Sequence, residues 1–201
     1  MSTVAYSPKA DEIKKLREAT DAPMMDCRKA LIESDGDFDK AKESLIKAGA
    51  AKAAKKEDRV ANEGLVASYI HAGGKIGVLV EVNSETDFVA RNPKFGELTR
   101  DVAMHIAAMS PKYLDRASVP EDVVSKVRED LLANVPAGKP PEVTQKIVEG
   151  KLNKWFEENV LLEQPFVKDD SLTISDLINN AVGVLGEKIK VRRFTKFALG
   201  E

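Results

Sequence analysis

Two runs of alternating residues, separated by a glycine-containing turn, constrain the fold of this chain more than any other feature of its sequence. Residues 65–71 are interpreted as an alternating run, residues 72–75 read Ala-Gly-Gly-Lys, and apolar side chains then occupy every second position from 76 to 82. A period of two is typical of a half-buried strand, and a short glycine-rich segment between two such runs is typical of a hairpin. The sequence therefore predicts an antiparallel β-hairpin here.

The residues before this hairpin have the spacing of helices. Apolar side chains at intervals of three and four predict three short helices between residues 9 and 49. Asp37 is the expected N-cap of the third helix, and Gly49 is its expected C-terminal stop. Cys27 falls on the apolar face of the second helix, so we expect it in the core. A bundle of about 40 residues buries only a small core.

Helical spacing returns after the hairpin. A helix is predicted over Pro93–Met109. Its inward face is formed by Phe95, Leu98, Val102 and Ile106. Beyond residue 120, two longer helices flank a turn at residues 137–141, which predicts an antiparallel helical hairpin.

The end of the chain combines a short helix with a strand. The helix is predicted over Ile174–Leu185, and the strand over residues 188–199. The apolar alternation of the strand slips at Arg192 and Arg193, which predicts a β-bulge at these two residues.

These patterns together predict an α+β fold in two parts. Residues 1–49 are expected to form a three-helix bundle, and residues 50–62 a charged linker. Residues 63–201 are expected to form a core domain, in which helices pack on a three-stranded antiparallel sheet. The helical hairpin, at about residues 120–160, is inserted into this domain.

The composition excludes several classes of protein. A net charge of −2 gives no general attraction to nucleic acid or to an anionic membrane. No run of 18 apolar residues is present, and the first eight residues lack the basic and apolar segments of a secretory signal. The single cysteine cannot form an internal disulfide, which favours a reducing compartment. We therefore expect a soluble, cytoplasmic protein.

The linker has a basic face that admits two interpretations. It is formed by Lys52, Lys55, Lys56 and Arg59. A solvated helix face is the simpler interpretation. The alternative is a basic arm that contacts the phosphates of a nucleic acid, although Glu57 and Asp58 oppose it.

No enzyme chemistry is indicated by the motifs. Gly73-Gly74-Lys75 lacks the six-residue frame and the hydroxyl residue of a phosphate-binding loop. His71 and His105 lie on different elements without ligands at metal-binding spacing. A metal-dependent hydrolase built on Glu85, Asp87 and His71 is a remote alternative. We expect no catalytic residue, metal site or cofactor.

The segment 85–92, Glu-Thr-Asp-Phe-Val-Ala-Arg-Asn, is unusual because it places one aromatic residue in a charged run between a strand and a helix. Periodicity alone leaves two interpretations of Phe88 open. It either fills the core, or it protrudes beside Asp87 and contacts a partner protein.

This segment resembles the Thr-Asp-Phe-Val motif of the elongation factor Ts family. Four further segments are similar to that family in the same order: residues 16–20 with 24–31, residues 151–155, residues 163–167 and residues 186–194. Together they cover nearly the whole chain after residue 10. The resemblance implies that residues 1–49 form a bundle of the ubiquitin-associated type.

The resemblance also implies a function. A member of this family is a translation elongation factor that binds elongation factor Tu in its GDP form, disturbs its Mg²⁺ site and promotes GDP release. The residues implied in the Mg²⁺ effect are Thr86, Asp87, Phe88 and Val89. Those implied in partner binding are Arg17, Met24, Met25, His71, Leu185 and Gly186. Such an exchange factor is not an enzyme, and no direct contact with nucleic acid or membrane is expected.

The chain departs from the family pattern at two positions and in its length. Asp21 and Pro23 stand where glycines are usual, and we expect Asp21 to cap the second helix and Pro23 to lie in its first turn. Only one copy of the strand–strand–helix unit is visible, and short members tend to form homodimers. Since the last strand has no cysteine, a homodimer here is expected to be non-covalent.

Overall fold

A computed structural model describes residues 6–136 and 138–201. Most of the amino-terminal segment considered for a secretory signal, and Ala137 of the predicted turn, lie outside these residues. The helices are α1 Ala10–Thr20, α2 Met24–Glu33, α3 Phe38–Ala54, α4 Asp87–Ala90, α5 Pro93–Met109, α6 Glu121–Ala133, α7 Pro141–Asn159 and α8 Ile174–Leu185. The strands are β1 Glu63–Ile70, β2 Ile76–Ser84, β3 Pro165–Phe166, β4 Asp169–Thr173 and β5 Ile189–Ala198. The α+β class is confirmed. Within the described part of the chain, no helix is long and apolar enough to cross a bilayer.

Helices α1 to α3 form a small bundle with its own apolar core. Its fully buried members include Leu16, Cys27, Leu31 and Ala41. The expected burial of Cys27 is therefore confirmed. Asp37 caps α3 as predicted, because its carboxylate accepts the backbone N–H of Lys40 at 3.1 Å.

The predicted end of the third helix at Gly49 is wrong, since α3 continues to Ala54. The reason is a close helix crossing. A Cβ on Gly49 would lie 2.9 Å from Oδ1 of Asn180 and 3.4 Å from the backbone oxygen of Asn179, both on α8. The glycine therefore permits contact between two helices and does not terminate one.

The turn between α1 and α2 also differs from the prediction. Asp21 ends α1 in the left-handed conformation, with φ 54°, and its N–H donates to the oxygen of Arg17. Pro23 takes the N-cap position of α2 and offers no side-chain cap. Aspartate can adopt the left-handed region, so it replaces glycine as the residue after the first helix.

Strands β1, β2 and β5 form the predicted three-stranded antiparallel sheet, in the order β1-β2-β5. The register shifts where Glu81 pairs with Arg193 and Val82 pairs with Val191, which leaves Arg192 as the extra residue. The bulge predicted at Arg192 and Arg193 is confirmed. It lets the guanidinium groups of both arginines reach Glu81, at 3.1 and 2.7 Å.

The main core lies between this sheet and helices α5 and α8. Val78, Val80 and Val82 of β2 face inward and are at most 2% exposed. The inward face predicted for α5 is confirmed, because Phe95, Leu98, Val102 and Ile106 are all buried here. Asn92 caps α5, and Thr173 caps α8 in a reciprocal capping box with Asp176.

Helices α6 and α7 form the predicted helical hairpin, and their apolar side chains make a separate cluster. Its buried members are Val119, Leu152, Phe156 and Val160. At the base of the hairpin, the guanidinium of Arg116 lies 4.4 Å from the centre of the Phe156 ring and pairs with Glu163 at 2.5 Å. The hairpin thus packs mainly on itself.

Candidate functional site

Residues 85–92 contain a single helical turn, α4, between β2 and α5. Thr86 is its N-cap, and the Thr86 hydroxyl accepts the backbone N–H of Val89 at 3.4 Å. Val89 and Ala90 are each 6% exposed and belong to the main core. Two buried residues in succession therefore fix the orientation of the turn.

The side chain of Phe88 points away from this core and is 80% exposed. Consecutive helical residues point about 100° apart, so burial of Val89 and Ala90 directs Phe88 outward. Asp87 is also exposed, and its carboxylate pairs with the guanidinium of Arg91 at 2.7 Å, one turn further on. The turn thus presents an aromatic ring beside a carboxylate.

The residues before α4 are bound to those before β5. Both carboxylate oxygens of Glu187 accept hydrogen bonds from Thr86, from its N–H at 3.0 Å and its hydroxyl at 2.7 Å. In return, Glu85 accepts the N–H of Lys188 at 2.5 Å and pairs with Arg59 at 3.3 Å. The N–H of Lys188, assisted by Arg59, lowers the pKa of Glu85 below its usual value.

Leu185 and Gly186 lie next to this junction. Gly186 ends α8 in the left-handed conformation, with φ 79°, and its N–H donates to the oxygen of Val182. Because Glu187 holds Thr86, the end of α8 is held beside the start of α4. Leu185 and Gly186 therefore lie just before the residue that holds Thr86, the N-cap of the turn that carries Asp87 and Phe88.

A second exposed group lies on the bundle. Met24 and Met25, at the start of α2, are 54% and 68% exposed, and Arg17 of α1 is exposed as well. The exposure of at least one methionine was expected, because neighbouring helical residues cannot both face a core. Pro23 at the start of α2 lines the same cleft as Val184 near the end of α8. The residue before the two methionines thus lies across a cleft from the end of α8.

His71 lies far from these residues. It follows β1 at the hairpin turn, where Nδ1 is 3.1 Å from the hydroxyl of Tyr69. Phe88 lies beyond the other end of β2. This strand has nine residues, and a rise of roughly 3.3 Å per step separates its first and last Cα atoms by about 26 Å. The hydrolase alternative is wrong, because the structure does not bring His71 to Glu85 and Asp87. The described residues also include no group of three His, Cys, Asp or Glu side chains suited to a metal ion.

The basic face of the linker is partly compensated within the protein. Lys52 lies inside α3 and pairs with Asp26 at 3.1 Å, and Arg59 pairs with Glu85. These pairs support the interpretation as a solvated face and weaken the nucleic-acid alternative.

Sequence reasoning missed Arg91 and Glu187 as parts of this site. The four-residue spacing of Asp87 and Arg91 is a recognisable signal for a helical ion pair once α4 is assigned. Glu187 carries no local signal, since its partner Thr86 is 101 positions away.

The fold and the site define an α+β protein that carries exposed aromatic and methionine side chains on elements anchored in a folded core. The sequence pattern of the family Elongation factor TS matches residues 12–201. The chain is 53% identical over 193 residues to elongation factor Ts of Moorella thermoacetica, covering 96% of this chain and 95% of the relative.

Two further relatives agree. Elongation factor Ts of Anaeromyxobacter sp. is 55% identical over 96% of this chain and 88% of its own length. That of Thermosipho melanesiensis is 53% identical over 94% of this chain and 97% of its own length. The chain belongs to the elongation factor Ts family and is a translation elongation factor, which confirms the resemblance seen in the sequence.

Proposed function

We propose that this chain is a guanine-nucleotide exchange factor that binds elongation factor Tu in its GDP form and promotes GDP release. The proposal is carried by the 80% exposure of Phe88 on a turn whose next two residues are buried. A ring held in water by its own fold gains free energy when a partner buries it, roughly 2–3 kcal/mol for a phenylalanine. Phe88 is therefore available to insert between side chains of elongation factor Tu.

Asp87 supplies the second part of the mechanism. Mg²⁺ is a hard ion that needs near-octahedral oxygen ligation, so a carboxylate brought beside it disturbs the waters or side chains that hold it. Loss of the ion removes the main positive charge that opposes the diphosphate. Thr86 and Val89 contribute by fixing the turn, Thr86 as its cap and Val89 as its buried anchor.

The energy required is moderate. A thousandfold loss of GDP affinity corresponds to about 4 kcal/mol, which one buried ring and one lost ion can supply. Linkage requires that GDP weaken the binding of this chain to elongation factor Tu by the same factor. No covalent bond is made or broken, so no catalytic residue is assigned.

Met24, Met25 and Arg17 provide a second contact in this proposal. Methionine side chains are flexible and apolar, and arginine can pair with an acidic group of the partner. Leu185 and Gly186 extend the contact toward Phe88. His71, at the far end of the sheet, is proposed as a separate contact with the same partner.

A non-covalent homodimer is proposed through the outer face of the sheet. Val66, Ile70, Leu79 and Phe197 on this face are between 47% and 70% exposed. Ile70 and Phe197 both pair with Gly77, so their side chains flank a position without a side chain of its own. A sheet face with this much exposed apolar surface fits a second copy of itself.

The proposed exchange activity is tested by release of a fluorescent GDP analogue from elongation factor Tu, with and without this chain. We expect Phe88→Ala to lower the maximal stimulated rate at least tenfold, while the unfolding temperature stays unchanged because the ring is exposed. Met24→Ala combined with Met25→Ala should instead raise the concentration that gives half of the maximal rate, because these residues only dock.

Leu199→Ala is the matched control, since Leu199 is 81% exposed and lies outside the site. It should behave like the unaltered chain. Absence of stimulation by the unaltered chain would overturn the proposal. If Phe88→Ala is unfolded, the argument that the Phe88 ring is exposed for insertion into the partner fails.

A further inference from the structure

The junction before α4 and the junction before β5 exchange hydrogen bonds in both directions. A carboxylate from each junction accepts a backbone N–H of the other: Glu187 accepts from Thr86 at 3.0 Å, and Glu85 accepts from Lys188 at 2.5 Å. Hydrogen bonds to ionised carboxylates are roughly twice as strong as neutral ones. We call these four residues the carboxylate clasp.

Helix α4 depends on such external support. It is only four residues long, from Asp87 to Ala90. The first helical turn is costly to form, because several residues are fixed for one hydrogen bond. Burial of Val89 and Ala90 holds the end of the turn. Its start is exposed and is held through Thr86, whose backbone oxygen accepts the hydroxyl of Ser84 at 2.9 Å, and through the ion pair of Asp87 with Arg91.

The clasp also determines how Thr86 caps the turn. A hydroxyl has one proton to donate and two lone pairs. The proton of the Thr86 hydroxyl is donated to Glu187 at 2.7 Å, which leaves a lone pair for the N–H of Val89 at 3.4 Å. Glu187 therefore supports both the backbone and the cap from which Asp87 and Phe88 project.

We propose that Glu187 is a positioning residue for nucleotide exchange, which acts by holding Thr86 so that Phe88 and Asp87 project in a fixed direction. This inference rests on the proposed exchange function. A preorganised group loses less conformational freedom when it binds. Loosening the clasp therefore slows the insertion of Phe88, while docking through Met24 and Met25 continues.

The test compares Glu187→Ala and Glu187→Gln in the GDP-release assay with elongation factor Tu. Glu187→Ala removes both acceptors and should lower the maximal stimulated rate about tenfold, as expected for roughly 1.4 kcal/mol. Glu187→Gln keeps one acceptor oxygen and should lie closer to the unaltered chain. The half-maximal concentration should change less than about twofold in both variants, because the docking residues are intact.

Glu57→Gln is the matched control, because Glu57 is an exposed carboxylate that pairs with Lys188 at 3.8 Å. It should leave the rate unchanged. Hydrogen exchange of the Thr86 amide, followed by NMR in the free protein, gives a readout that needs no partner. It should accelerate in Glu187→Ala and not in Glu57→Gln.

The outcomes separate the two proposals. If the unaltered chain fails to accelerate GDP release, the proposed function fails. If the unaltered chain accelerates release and Glu187→Ala does so equally well, the positioning role alone fails. Should Glu187→Ala unfold, Thr86→Val provides a second route, since it removes the hydroxyl and keeps the branched shape. An unchanged maximal rate in that variant would also contradict the clasp.

Discussion

At the scale of single residues, the buried His105 is bound through both of its ring nitrogens. It is fully buried on α5, and Val167 donates its N–H to Nδ1 at 3.3 Å. Nε2 therefore carries the ring proton and donates it to Oε1 of Gln164 at 2.9 Å. Both nitrogens are occupied only when the ring is neutral, and burial lowers the pKa of His105.

This environment predicts a loss of stability in mild acid. Since the pKa of His105 is lower in the folded state, the unfolded chain binds the proton first. The free energy of unfolding is then fully retained above the unfolded pKa of about 6.5 and falls as the pH drops below it. Urea unfolding between pH 7 and pH 5 measures this slope.

The comparison uses a variant without the buried imidazole. His105→Gln should flatten the slope, although it lowers stability at pH 7. Equal slopes in the unaltered chain and in His105→Gln would show that another group governs the acid response.

Residue patterns predicted some of these environments and not others. The burial of Cys27 followed from its helical spacing. Periodicity did not decide whether Phe88 faces inward, because the helical turn that carries it is too short to show a period. The burial of Val89 and Ala90, which directs Phe88 outward, is a property of the folded core.

At the scale of elements, the crossing of α3 and α8 attaches the bundle to the core. Gly49 of α3 meets α8 beside Asn180 and Gly183, and the Cα of Gly49 would lie 3.8 Å from a Cβ on Gly183. Lys42 of α3 adds an ion pair with Asp169 of β4 at 2.9 Å. These contacts place the exposed methionines of α2 at a defined position relative to α4.

A larger side chain at position 49 should weaken this attachment. Leucine has a higher helix propensity than glycine by roughly 0.5–1 kcal/mol, but at Gly49 overpacking should outweigh that gain and lower the free energy of unfolding by about 2 kcal/mol. Gly150 in α7 is the matched control, since a Cβ there would meet nothing within 4 Å. Urea unfolding should show Gly49→Leu destabilised and Gly150→Leu not. Equal behaviour of both variants would argue against a tight crossing.

Long elements with a clear period were predictable, and short ones were not. The β-hairpin, α5, α8 and the β5 bulge were all predicted, because each has several residues facing one core. The four-residue α4 and the two-stranded sheet of β3 and β4 were missed. The extension of α3 beyond Gly49 was missed because a contact with α8 overrides the usual role of glycine at a helix end.

At the scale of the whole molecule, the outer face of the sheet predicts self-association. A stable interface buries about 800 Å² on each partner, and this face offers the exposed apolar side chains of Val66, Ile70, Leu79 and Phe197. Ile70→Lys combined with Phe197→Lys should convert a dimer to a monomer in sedimentation velocity, because it places like charges across the two-fold axis.

Leu132→Lys serves as the control, since Leu132 is 53% exposed on α6, away from the sheet. It should leave the sedimentation coefficient unchanged. A chain that sediments as a monomer at all concentrations would contradict the proposed homodimer without affecting the exchange proposal.

The helical hairpin has a consequence for how chains of this kind can vary in length. The backbone leaves the core at Tyr113 and returns at Val160, and the two points form a parallel bridge, with the N–H of Leu161 donating to the oxygen of Tyr113 at 2.8 Å. The two helices between them form a closed excursion with its own apolar cluster. Loop-closure entropy grows only slowly with length. The helical hairpin can therefore be lengthened, shortened or exchanged in evolution while the bridge between Tyr113 and Val160 is kept.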